Sequence, residues 1–109
     1  MINFCNEAQE GDGRVFMVFY AKNFYEPMEN IKPERIAETH RFIDLVLSVS
    51  AESVYHGMQA EIWSCIGQGR SRIEGAGVSH TSMSVGDVLF DVDEDAWLYC
   101  DRIGWKRLD

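Results

Sequence analysis

The chain has 109 residues, 46% hydrophobic and 12% aromatic, which suits one domain with a modest core and excludes a disordered chain. Its 18 Asp and Glu outnumber 10 Lys and Arg, for a formal charge of −8; such a field repels phosphate backbones and acidic membranes and disfavours direct nucleic-acid binding. No apolar run approaches the roughly 20 residues of a membrane helix, Met1 to Asn6 does not read as a secretory leader, and Cys5, Cys65 and Cys100 are an odd, scattered set without C-x-x-C. The expectation is a soluble cytoplasmic protein with reduced thiols.

Residues 6–13 (NEAQEGDG) are a polar, glycine-containing turn. Residues 14–20 (RVFMVFY) follow, apolar at odd and even positions alike, which predicts a central strand buried on both faces. The connection 22–32 (KNFYEPMENIK) is irregular, and its Phe24, Tyr25 and Met28 either cover a core edge or form a contact surface. Pro33 suits a first helical turn, so 33–38 predicts one or two turns of helix. In 39–49 two patterns compete. Ile36, His40, Ile43 and Leu47 line a helical face, whereas Ile43, Leu45, Leu47 and Val49 alternate as a strand does. The β-branched content favours the strand.

Ser50 followed by Glu52 is a helix start, predicting a helix from 51 to about 60 or 63 despite Gly57. The stretch 67–77 (GQGRSRIEGAG) carries four glycines and no apolar period, which predicts a mobile loop. Residues 85–92 (VGDVLFDV) and 96–101 (AWLYCD) predict a hairpin turning at Asp93-Glu94-Asp95. Ile103-Gly104-Trp105 either adds a short strand or packs a tryptophan over the sheet. The sum is a small single α+β domain over 1–109, with about four mostly antiparallel strands and one or two short helices on one face.

Candidate chemistry is sparse. His40, His56 and His80 form neither H-x-x-x-H nor H-E-x-x-H, so neither a metal nor a cofactor is expected. His80, Ser82, Ser84 and Asp87 hold the residue types of a serine–histidine–acid constellation within eight residues. No G-x-S-x-G elbow presents the serine, and residues so close on an extended segment rarely converge. The plainer reading of Thr81, Ser82 and Ser84 is backbone satisfaction at a strand entry. The 67–77 stretch lacks G-K-[ST], so a connector outweighs an anion site at Arg70 and Arg72. Asp91-x-Asp93-x-Asp95 echoes a calcium loop but lacks its glycine and distal glutamate. Asp91, Asp93, Glu94 and Asp95 read as a solvated hairpin tip or as an acidic surface for a basic partner. Trp63, Trp97, Trp105 and Tyr99 are either core or interface residues.

The run His80-Thr81-Ser82-Met83-Ser84-Val85-Gly86-Asp87-Val88, with the ending Tyr99 to Trp105, resembles a group of small proteins of phages, plasmids and other mobile elements. Its ending is similar to that of YodL-like domains. The resemblance covers the last third of the chain and, through Met58-Gln59 and Trp63, faintly the middle. It implies a mobile-element setting, host cytoplasm and a compact α+β module, and carries no catalytic residue with it.

The leading expectation is a non-enzymatic accessory protein that binds a basic protein surface through Asp91, Asp93, Glu94, Asp95 and Trp97. Inhibition of a host nucleic-acid-binding or defence protein is its sharpest form. The alternatives are a small-ligand protein or enzyme with a pocket at His80, Ser82, Ser84 and Asp87, and a structural subunit, homodimeric through Phe24, Tyr25 and Met28.

Overall fold

The run that is apolar at odd and even positions becomes a strand flanked on both sides. A computed structural model describes residues 1–23, 25–59, 68–78, 80 and 82–108, with 68–70 as backbone alone. Among the described residues six strands form one mixed sheet: β1 (Ile2–Asn3), β2 (Arg14–Ala21), β3 (His40–Ser48), β4 (Val88–Asp91), β5 (Ala96–Asp101) and β6 (Gly104–Leu108). Their spatial order is β1-β3-β2-β4-β5-β6. β1 runs parallel to β3, and every other pair is antiparallel. Among the described residues three short α-helices accompany the sheet: α1 (Ile36–Thr39), α2 (Ala51–Gly57) and α3 (Gln68–Ala76). This is the expected α+β class, with two strands more than the four expected.

The side-chain period of two sorts the residues onto faces. Phe16, Val18 and Tyr20 of β2, Val46 of β3 and Leu89 of β4 point to one side, where they meet Val54 of α2, Met58 just after it, Ile73 of α3 and Val78 just beyond its end. Each such side chain, fully buried, contributes about 1.5–3 kcal/mol. Ile43 joins this core through an irregularity: Val18 pairs with Asp44 and Phe19 with Phe42, so Ile43 is the extra residue of a bulge. The opposite face carries Phe19, Val88, Tyr99 and Leu108, and among the described residues the connection 25–36 lies over it, through Met28, Ile31 and Ile36. Tyr99 Oη anchors that connection by donating to the Glu26 carbonyl at 3.1 Å.

β3 is a strand, as its alternation favours. α2 starts where the serine cap predicts: the Ser53 N–H donates to Ser50 Oγ at 3.1 Å. It ends at Gly57, and the positions 60–63 to which it was expected to run lie outside the described residues, as do Trp63 and Cys65.

The stretch 67–77 corrects the expected loop, because 68–76 is helical. Tertiary contacts override its poor propensity. Ile73 is buried in the core, and Arg72 Nε pairs with Asp44 Oδ2 on β3 at 2.6 Å. The helix closes with a Schellman cap: Val78 N–H donates to the Ile73 carbonyl, Gly77 N–H to that of Glu74, and Gly77 takes φ of +74°. That ion pair occupies Arg72, one of the two residues weighed for an anion; the Arg70 side chain lies outside the described residues.

Candidate functional site

Two places gather residues singled out in the sequence, and they differ in kind. The first begins as a turn. Ser84-Val85-Gly86-Asp87 closes with Asp87 N–H donating to the Ser84 carbonyl at 3.0 Å, and Gly86 takes φ of +102° at the third position. A side chain there is also refused by contact, since a Cβ on Gly86 lies 2.9 Å from the Glu26 backbone nitrogen.

The turn drives the Asp87 carboxylate inward to 0% exposure. Its Oδ1 accepts the Ala21 N–H at 2.8 Å and its Oδ2 the Ser84 N–H at 2.9 Å. His80 Nε2 lies 3.1 Å from both oxygens, and the His80 ring stacks on Tyr20 at 4.7 Å. Buried His40 sits beside them: its Nε2–H donates to the Gly86 carbonyl at 2.7 Å, which leaves Nδ1 to accept from the Thr39 hydroxyl at 2.7 Å. Burial lowers the His40 pKa, outweighing the Gly86 hydrogen bond and the Asp87 carboxylate. Burial, and then Asp87, pushes the Tyr20 phenol far up.

Folding therefore brings His80, Ser84 and Asp87 together, but as a buried knot between the end of β2, the start of β3 and the entry to β4. Ser84 Oγ is buried with no hydrogen-bond partner among the described residues, and Ser82 is half-buried. A nucleophile needs an accessible oxygen and a base aimed at it. Asp87 instead satisfies two backbone donors.

The second place is the sheet face away from α2 and α3. Four aromatic rings cross it on four strands. Phe42 meets Phe19 edge-on at 5.6 Å, Phe19 meets Trp97 at 5.3 Å, and Trp97 meets Phe90 at 4.8 Å. Phe42 is 47% and Leu45 37% exposed, with Met17, Phe90 and Trp97 half-buried around them. Trp97 is thus the half-covered centre of an aromatic strip, Trp105 packs partly against the helix-side core and Tyr99 is buried. Sequence could not assign these fates, because they depend on which face the connection 25–36 covers.

The hairpin turn 92–95 borders this strip. Asp91 is not part of the surface: it is buried, pairs with Arg14 at 3.0 Å, and accepts the N–H groups of Asp93 and Glu94. Asp93 accepts the Val15 N–H at 3.1 Å and remains exposed, as do Glu94 and Asp95. The same end of the sheet carries exposed Glu10 and Asp12, in the turn that feeds Arg14. Arg14 reaches Glu94 at 4.0 Å but spends its closer contact on Asp91. The outcome is an acidic rim built from two segments distant in sequence.

Of the third candidate surface, Tyr25 is exposed, Met28 half-buried, and Phe24 lies outside the described residues. Among the described residues no three His, Cys, Asp or Glu side chains gather as metal ligands would, and no helix is long and apolar enough to cross a membrane. No protein-family model, curated protein or solved structure matches the chain.

Proposed function

We propose that the chain is a binding module, recognising a partner protein with the aromatic strip of its uncovered sheet face and the acidic rim beside it. The observation that carries this reading is the strip itself: Phe42 and Leu45 lie exposed over a ring ladder continuing into Phe19, Trp97 and Phe90. Aromatic residues and methionine are the types enriched where proteins meet. The rim of Glu10, Asp12, Asp93, Glu94 and Asp95 adds a field that steers a basic surface towards the strip. The partner has an apolar patch bordered by Lys and Arg, such as a nucleic-acid-binding protein presents, and a mobile-element accessory that occupies such a surface is an inhibitor.

Affinity capture with three forms of the chain tests this reading. Wild type retains a partner after nuclease treatment, Glu94→Lys/Asp95→Lys loses it at low salt, and Phe42→Ser/Leu45→Ser loses it at every salt concentration. A partner held equally by all three forms overturns the reading. The pocket alternative at His80 and Asp87 is the weaker one, since Asp87 has no exposed surface.

A further inference from the structure

On the other side of the sheet, at the end away from the acidic rim, a cleft of about 140 Å³ opens between α2 and the β5–β6 hairpin. Glu52 and Tyr55 enter from α2, three residues apart and hence on one helix face. Cys100 and Asp101 come from the end of β5, and Trp105 stands opposite Cys100 in the β5–β6 register. We propose that this cleft binds the cationic end of a ligand, an alkylated ammonium or a guanidinium, against the Tyr55 and Trp105 rings with Glu52 as its counter-charge.

Size restricts the ligand first. The volume lies below the roughly 300 Å³ at which whole small-molecule sites begin and near the roughly 150 Å³ that hold one benzene. A trimethylammonium head or the end of a basic side chain is of that scale. Chemistry restricts it next. Among the described residues Tyr55 and Trp105 line the cleft, and an aromatic ring attracts a cation placed over its face the more strongly as both are desolvated. The carboxylates of Glu52 and Asp101, again among the described residues, line the cleft beside the guanidinium of exposed Arg102. The Cys100 thiol reports the field at this spot: burial, and then the carboxylates of Asp87, Glu52 and Asp101, push it up to about 12. An anion would meet that same repulsion.

The carboxylates hold exposed partners that a ligand displaces at little cost. Glu52 pairs with His56 at 3.1 Å and Asp101 with Lys106 at 2.9 Å. The site shares no residue with the aromatic strip or the acidic rim, so the two proposals stand or fall separately.

The test follows the Trp105 indole N–H resonance, assigned with Trp105→Phe, during titration with choline, N-acetyl-arginine amide and the neutral choline isostere 3,3-dimethylbutanol. Choline or the arginine amide saturates the shift at least about tenfold more tightly than the neutral alcohol, equivalent to about 1.4 kcal/mol. Glu52→Gln weakens the cations about threefold and leaves the alcohol unchanged. Tighter binding of choline assigns a quaternary ammonium, and tighter binding of the arginine amide a basic side chain. Binding of both cations no tighter than that of the alcohol, an unaltered Glu52→Gln titration, or no saturable shift overturns the proposal.

Discussion

Replacing Asp87 tests whether the most buried polar constellation belongs to the fold or to chemistry. Its carboxylate is the acceptor for the Ala21 and Ser84 amides at 2.8 and 2.9 Å and faces His80 from both oxygens. Asp87→Ala strands both amides where water does not reach. Each stranded donor costs about 1–3 kcal/mol, so the variant loses about 2–6 kcal/mol. Asp87→Asn keeps one acceptor and turns an N–H against a donor, for about 1–3 kcal/mol. A domain of this size holds about 5–15 kcal/mol in all, so the alanine variant approaches the unfolding limit and the asparagine variant stays measurable. Urea unfolding at neutral pH, followed by tryptophan fluorescence, gives both values, with the midpoint falling at constant slope. A loss under about 0.5 kcal/mol for the alanine variant refutes the structural role, because a surface position behaves so. A gain in stability refutes it more strongly, since that is the mark of a carboxylate kept for function at the expense of the fold.

Three further outcomes follow from the same geometry. Burial sets the His40 pKa below its ordinary 6.5, so the unfolded chain takes up that proton more readily. Its contribution is complete above pH 6.5 and is lost as the pH falls through 6.5 towards the lower folded value; denaturant melts of wild type weaken there by at most about 1.4 kcal/mol per pH unit for this group, and those of His40→Gln lack this component. Gly86→Ala forces a Cβ to 2.9 Å from the Glu26 nitrogen at φ of +102°, and thermal melts register a loss above about 1 kcal/mol. Cys100, buried and with its thiol raised to about 12, resists iodoacetamide at pH 8 while half-buried Cys5 reacts; peptide mass spectrometry reads the order, and faster labelling of Cys100 contradicts it.

Much of this architecture is legible in the chain because it rests on local signals. Residues 14–20 announce a strand inside the sheet, although its second face is only partly buried, with Val15 and Met17 half-exposed; Ser50 announces the start of α2, and Asp93 to Asp95 mark a hairpin turn. α3 escaped because four glycines in 67–77 hide its period. Its stop signal was nevertheless present, in Gly77 followed by Val78 at the spacing that returns to Ile73. β1 is two residues long and gains its place only by pairing with β3. The Asp87 knot was visible as residue types but not as a structure, since its partner Ala21 lies 66 positions away. Asp91 looked like its acidic neighbours until Arg14 came to meet it. The aromatic strip is the least legible element. The alternation that puts Met17, Phe19, Phe90 and Trp97 on one face also describes a buried core, and only the extent of the connection 25–36 decides which part stays uncovered.

The most direct test of the binding-face account is site-specific photo-crosslinking in cells that hold the natural partner, with the photoreactive residue at position 42 on the strip or at position 74 on exposed α3. The account predicts one crosslinked protein from position 42, abolished by Glu94→Lys/Asp95→Lys, and none from position 74. Crosslinking from 74 alone, or from both positions alike, contradicts it.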